Sequence, residues 1–194
     1  MKKAALTLLA AATFGCSHTV VVPVPARVDL KPYGMIGIIE FSTNGERATG
    51  LQATRAFQEQ VQEAQPGTRF LELGKRDAVL AGVGARDFDP EALRRIGEKY
   101  RLKALVVGEL AYSPPSADIK VVAEISGRLL ETSSGASVWT RSAWTQRQIG
   151  TLSVSAGRGV GGSMSKGDPR EEMVPSLVYH LTHDFRPNTV PEER

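Results

Sequence analysis

The chain has 194 residues, of which 41% are hydrophobic and 23% charged, a composition typical of one globular domain with a real core. Its formal net charge of +3 includes Lys2 and Lys3, and removing these two from the 24 basic residues leaves 22 against 21 acidic residues. The rest of the chain is therefore close to neutral. It has no basic stripe interleaved with aromatic residues, which argues against nucleic-acid binding.

The first sixteen residues have the organisation of an export signal. A basic start (residues 1–3) precedes an apolar run over residues 4–14. This run has the length of a signal-peptide core and is too short to cross a membrane as a helix. It ends at Gly15 and Cys16, and because Cys16 is the chain's only cysteine, no intramolecular disulfide can form.

Residues 9–16 resemble a bacterial lipobox, in which a small residue precedes a cysteine that is acylated and becomes the mature N-terminus. The resemblance implies a signal peptide over residues 1–15 and a palmitate-type anchor on Cys16. Because Ser17 rather than Asp follows, it also implies sorting to the outer membrane, with the domain facing the periplasm. Several acyl chains anchor firmly, since each buried methylene contributes about 0.8 kcal/mol. The alternatives are an ordinary secreted protein and a buried cysteine in an uncleaved segment.

Three further regions follow Cys16. Residues 16–32 are expected to form an extended tether from the lipid, because Pro23 and Pro25 disfavour the alternative of an edge strand. Residues 33–187 are expected to form the periplasmic domain. The tail over residues 188–194 is expected to be disordered.

Within the domain, apolar runs bounded by turn residues predict five strands and four helices. The predicted strands cover residues 35–41, 69–73, 104–110, 119–129 and 137–144, and the predicted helices cover residues 48–64, 77–80, 90–100 and 169–185. Strands separated by helices favour parallel pairing, and the final hairpin adds antiparallel strands. The predicted fold class is α/β (α+β), a single mixed sheet in the element order β-α-β-α-α-β-β-β-α with helices packed on the sheet.

Three local signals support these boundaries. Asp89 followed by Pro90 is a strong helix start, with a capping carboxylate and proline at the first helical position. Gly135 ends a Thr-Ser-Ser-Gly turn and can adopt a positive φ. Apolar and polar residues alternate over residues 119–129, which predicts a strand with one buried and one wet face.

Two features of the C-terminal half indicate partner binding. Trp139 and Trp144 are five residues apart on one strand, so they face opposite sides; one is expected in the core and the other as an exposed anchor. Residues 157–162 satisfy a G-x-G-x-x-G spacing, but no strand–turn–helix surrounds them. A mobile loop ordered by a partner or by self-assembly is preferred to a dinucleotide site. The candidate partner-binding residues are Trp139, Trp144, Arg158 and Val160.

The remaining polar residues do not form a recognisable catalytic or metal site. His180 and His183 are one helical turn apart with Asp184 beside them, but a zinc site needs further ligands that the sequence does not offer. A solvated helix face is the preferred interpretation. Glu109 and Glu124 are isolated acids without a nucleophile nearby. The sequence therefore predicts no enzyme, no metal, no cofactor and no small-molecule substrate.

Three local patterns occur together in the order expected for one family. They are the strand at residues 35–41, the helix end and strand at residues 100–110, and the hairpin at residues 129–139. The set resembles the superfamily of envelope lipoproteins that includes CsgG-like curli secretion-channel proteins and LpoB-like penicillin-binding-protein activators. The TolB N-terminal domain is a more distant relative.

The resemblance and the anchor signal together imply an outer-membrane-anchored periplasmic lipoprotein acting as a non-catalytic protein-binding module. Its type would be that of an envelope-assembly factor or a peptidoglycan-synthase activator. The alternative is a subunit of an oligomeric CsgG-like secretion or export assembly. The expected partners are the membrane, through the lipid, and another envelope protein or further copies of the chain. A pore is not expected, because residues 149–168 are too short and polar for two transmembrane hairpins.

Overall fold

The computed structural model describes residues 20–113, 120–148 and 169–192. Its α-helices are α1 (Arg47–Ala64), α2 (Arg76–Ala81), α3 (Pro90–Tyr100) and α4 (Pro169–Leu181), and 3-10 turns cover Lys31–Tyr33 and Thr182–Phe185. Its strands are β1 (Val20–Val24), β2 (Met35–Ile39), β3 (Ser42–Thr43), β4 (Arg69–Gly74), β5 (Ala104–Tyr112), β6 (Lys120–Glu131), β7 (Ser137–Gln148) and β8 (Asn188–Glu192). No helix within these ranges combines the length and the apolar content needed to cross a membrane.

Six strands form one mixed sheet. Five follow the order β4-β2-β5-β6-β7, and β3 pairs with β5 as the sixth. Strands β2, β4 and β5 are parallel, whereas β6 and β7 continue the sheet as an antiparallel hairpin. The predicted single mixed sheet with helices on its faces is confirmed. The sequence does not predict β3, because two residues are too few to show alternation.

The central strand β5 separates two hydrophobic layers. Ala104, Val106 and Leu110 point into the larger layer, which α1 and α4 cover. Leu105 and Val107 point into the smaller layer, which α2 and α3 cover. The start of β5 is therefore buried on both faces, as a continuous apolar run predicts.

The local boundary signals act as the sequence predicts. The Asp89 Oδ1 accepts a hydrogen bond from the Ala92 amide (2.7 Å), and Pro90 is the first residue of α3. Gly135 adopts a φ of 74° in the turn before β7. On β6 every second residue is buried, namely Val121, Ala123, Ile125, Gly127 and Leu129.

The two ends of the described chain pair with each other, contrary to expectation. Strand β1 lies antiparallel to β8 in a separate two-stranded ribbon, with Val20 opposite Glu192 and Val24 opposite Asn188. The predicted extended tether thus includes a strand at residues 20–24. The predicted disordered tail is wrong for residues 188–192.

Each strand of the ribbon contains a proline, which a strand tolerates only at certain positions. Pro23 lies opposite Thr189, and Pro191 lies opposite Val21. These two pairs are separated by two positions, so both are of the same hydrogen-bonding type. In a two-stranded ribbon the missing N–H of proline is tolerated wherever it points away from the partner strand. One proline in each strand, Pro23 and Pro191, is therefore compatible with the ribbon.

Candidate functional site

Trp139 is a core residue. Its side chain is 5% exposed, and its ring centroid lies 4.8 Å from that of Phe185 and 6.2 Å from that of Phe57. Its indole N–H donates a hydrogen bond to Asp184 Oδ2 (3.1 Å). As a surface anchor for a partner, the prediction for Trp139 is wrong, because the ring is enclosed between α1, β7 and the turn after α4.

Asp184 is bound by three residues and is buried. Besides the Trp139 indole, Arg141 Nη1 donates to Asp184 Oδ1 (2.6 Å), and Arg27 Nη1 lies 4.0 Å from the same oxygen. Its side chain is 10% exposed. Burial is the largest single influence on the pKa of Asp184 and acts to raise it. The hydrogen bonds from Arg141 and Trp139, together with the charges of Arg141 and Arg27, outweigh burial and hold the pKa below its ordinary value.

The segment that precedes the domain is fastened beside Asp184. The Val28 amide donates to the Asp184 carbonyl oxygen (3.1 Å). Gln65, at the end of α1, accepts from the Leu30 amide through Oε1 (2.9 Å) and donates through Nε2 to the Val28 and Phe185 carbonyl oxygens. We call this end of the domain the N-terminal pole, defined by residues 27–30, Gln65 and Asp184. It fixes where the chain enters the domain.

The sequence does not identify most of this pole. Asp184 is noticed only as a neighbour of His183, and Gln65 and Arg27 carry no signal. Arg141 does carry one: it lies two residues from Trp139 and therefore on the same, inward face of β7. A cation on the covered face of a strand requires a buried acid nearby, which here is Asp184.

A second surface lies on the other face of the sheet. The helices α2 and α3 cover only one part of that face, the part that includes Leu105, Val107 and Leu130. Beyond them Glu109, Glu124 and Trp144 are exposed, Trp144 by 68%. We call this surface the Trp144 face, formed by Glu109, Ala111, Val122, Glu124, Ser126, Ser142 and Trp144.

The Trp144 face and the N-terminal pole lie toward opposite ends of the sheet. Trp139 contacts Asp184 at the pole, and Trp144 is five residues further along β7. At about 3.3–3.4 Å per residue, this separation is about 17 Å along the strand. The exposed tryptophan therefore points away from the place where the N-terminal segment joins the domain.

The histidine pair does not approach other metal ligands. His180 and His183 are exposed, whereas the Asp184 carboxylate is turned toward Trp139 and Arg141. Over the residues that the structure describes, no group of three His, Cys, Asp or Glu side chains could hold a metal ion. Cys16, Arg158 and Val160 lie outside the described residues, so their roles stay predictions.

Comparison with known proteins supports the fold. No protein-family model matches the sequence, and no curated protein matches it. Among solved structures, a PelC dodecamer from Paraburkholderia phytofirmans is similar over 87% of this chain and 98% of that chain, with 11% identity and a TM-score of 0.50. At this identity the likeness concerns the fold alone.

Two further solved structures are less similar. Lipoprotein GNA1162 from Neisseria meningitidis matches 62% of this chain and 86% of its own, with 12% identity and a TM-score of 0.40. The LpoB C-terminal domain from Escherichia coli matches 61% of this chain and 87% of its own, with 10% identity and a TM-score of 0.38. Both TM-scores are too low to carry an argument about this chain.

Proposed function

We propose that this chain is a lipid-anchored, non-catalytic module of the bacterial envelope that presents its Trp144 face to a protein partner. The observation that carries the proposal is the distance between the N-terminal pole and the Trp144 face. The N-terminal segment is fastened at one pole, and an exposed tryptophan lies about 17 Å away on a part of the sheet that none of the described helices covers. An exposed tryptophan is the residue type most typical of an interface hot spot.

The N-terminal region supports a short anchor rather than a long tether. If Cys16 is acylated, only residues 17–19 separate it from β1. Four Cα–Cα steps reach at most about 14 Å when fully extended. The five-residue ribbon adds about 17 Å. The N-terminal pole would thus stay close to the bilayer, and the Trp144 face would be turned toward the periplasm.

The proposal also includes sorting to the outer membrane and binding to another envelope protein. Sorting is supported by Gly15, Cys16 and Ser17 in the sequence. A role with an envelope-assembly complex or a peptidoglycan synthase is supported by the sequence resemblance to LpoB-like proteins. The non-catalytic assignment is supported by the placement of Glu124, which is exposed on the sheet opposite Trp144.

The second candidate function is a subunit of an oligomeric secretion or export assembly. It is favoured by the fold shared with a protein whose solved structure is a dodecamer. It is also favoured by β7, a twelve-residue strand at one edge of the six-stranded sheet. Exposed strand edges are sites at which a further chain can pair. In this case the partner would be a second copy.

Membrane fractionation tests the anchor. The wild-type chain is expected in the outer-membrane fraction, with an acylated Cys16 found by mass spectrometry, and a Cys16→Ala variant is expected to leave that fraction. An unacylated mature terminus, or retention of the variant in the membrane, would contradict the proposal.

Photocrosslinking in intact envelopes tests the partner. A photoreactive amino acid replaces Trp144, and in the matched control it replaces Tyr179, which is 52% exposed on α4. Position 144 is expected to give a discrete adduct with another envelope protein, and position 179 is not. The absence of an adduct at position 144 counts against the binding module. Sizing of detergent-extracted protein separates the two candidates, because a monomer excludes the assembly subunit.

A further inference from the structure

We infer that the Trp144 face binds a cationic segment of a partner protein, with an arginine or lysine side chain lying on the indole of Trp144 beside Glu124. The inference rests on the proposed function, since it names the chemistry of the partner. It follows from the register of three strands and from the charges that those strands expose.

The register places the indole and two carboxylates together. Trp144 on β7 is directly opposite Glu124 on β6, and Glu124 is directly opposite Ala111 on β5. In the adjacent row Glu109 is opposite Ser126. Directly opposed Cβ atoms are about 5 Å apart, and diagonal neighbours such as Glu124 and Glu109 about 7–8 Å. Glu124 therefore stands beside the ring, and Glu109 is a diagonal neighbour of Glu124 on the strand beyond it.

Neither carboxylate of this face, Glu109 or Glu124, forms an ion pair with another of the described residues. Arg76 and Arg128 line a cleft between α2 and the sheet, and Glu109 and Ser126 line the same cleft, at the edge of the Trp144 face. Arg76 is already paired with Asp87 (2.6 Å).

The arginines of β7 lie on the other face of the sheet, and each of them forms an ion pair there. Arg141 is bound to Asp184, and Arg147 is bound to Glu172. Among the described residues, the charged group directly opposite the exposed ring of Trp144 is therefore the carboxylate of Glu124.

Charge complementarity indicates what kind of molecule binds the Trp144 face. The face of an indole attracts a cation, and a carboxylate beside it adds an ion pair to the same group. A phosphate-bearing lipid, a nucleic acid or an acidic peptide would meet Glu124 and Glu109 and be repelled. A purely apolar segment would bury those two carboxylates without a partner, which is costly. The position of the face, remote from the N-terminal pole, also disfavours a bilayer as its occupant.

The two tryptophans provide the measurement. In the full chain labelled with ¹⁵N, each indole N–H gives one signal, and the buried Trp139 serves as an internal control. The probe is the peptide acetyl-Gly-Arg-Gly-Arg-Gly-amide, compared with the same peptide carrying Glu for Arg. The arginine peptide is expected to shift the Trp144 signal saturably, with a Kd of about 1–10 mM, and to leave the Trp139 signal unchanged.

Variants identify the residues responsible. Glu124→Gln is expected to weaken binding about threefold and Glu124→Lys to abolish it, whereas the control Thr140→Ala on β7 should have no effect. Raising the salt concentration should weaken binding, since the face is exposed. Equal shifts with the glutamate peptide, no shift with either peptide, or unchanged binding by Glu124→Gln would each overturn the inference.

Other occupants give distinct results. A Trp144 signal that moves with protein concentration alone would assign the face to a second copy. A shift with anionic phosphatidylglycerol vesicles, but not with the arginine peptide, would assign it to lipid. Either result would overturn the inference but not the proposed lipid anchor, because acylation of Cys16 is measured separately. Conversely, an unacylated Cys16 would not change the result of the peptide titration.

Discussion

Replacing Asp184 with Asn should weaken the domain more than any other single charge removal among the ion pairs described above. The carboxylate accepts from the Trp139 indole (3.1 Å) and from Arg141 Nη1 (2.6 Å), and its side chain is only 10% exposed. An amide has one acceptor oxygen, so one of the two donors would lose its partner and the amide N–H₂ would face a cation. Hydrogen bonds to charged groups contribute about 1.5–3 kcal/mol, so Asp184→Asn should cost about 2–3 kcal/mol.

Urea unfolding at several pH values measures this cost. The matched control is Asp87→Asn, which removes a carboxylate paired with Arg76 at 2.6 Å but 77% exposed, and it should cost less than about 1 kcal/mol. The pKa of Asp184 lies below its ordinary value in the fold, so its contribution is fully present above the unfolded-state pKa of about 3.9. It is lost as the pH falls through the folded-state pKa.

The difference between wild type and Asp184→Asn should therefore be constant from about pH 7 to pH 5 and shrink below about pH 4. A cost at neutral pH no larger than that of the control, or a difference that persists undiminished to pH 3, would refute the account of Asp184.

Two further predictions concern packing and the chain ends. Gly108→Ala should lower the free energy of unfolding by about 1–3 kcal/mol, because an added methyl group would come within 2.5 Å of the buried ring of Phe41; thermal unfolding checks this. Deleting residues 188–194 should leave the midpoint of thermal unfolding of the domain nearly unchanged but expose residues 20–24 to proteinase K, since β1 would lose its only described partner strand. Mass spectrometry of the fragments detects this, and deletion of residues 193–194 alone should leave β1 protected.

The sequence predicts the fold wherever a structural feature depends on residues within the same helix, strand or turn. The cap formed by Asp89, the positive φ of Gly135 and the alternation along β6 each depend on neighbours a few residues away. The apolar runs of β2 and β5 identify strands in the same way, because burial on two faces leaves no polar positions. These local features are sufficient for the mixed sheet and its helices.

The features that the sequence misses depend on partners far along the chain. Asp184 is 45 residues from Trp139, and Gln65 is 120 residues from Phe185. The ribbon pairs residues at opposite ends of the chain, and nothing in either segment specifies the other. For the two tryptophans, strand parity predicts that they face opposite sides. The positions of α1 and of the turn after α4 decide that Trp139 is the buried one.

The parity of β7 connects the two surfaces. Trp139 and Arg141 lie on the same face of β7, and both bind Asp184 in the turn after α4. This turn also binds the N-terminal segment. Trp144 has the other parity and is displayed on the open face. A shift of one residue in the register of β7 would exchange these faces, burying Trp144 and exposing Trp139. The buried bond between Trp139 and Asp184 therefore specifies the register, and this register in turn places the exposed indole opposite Glu124.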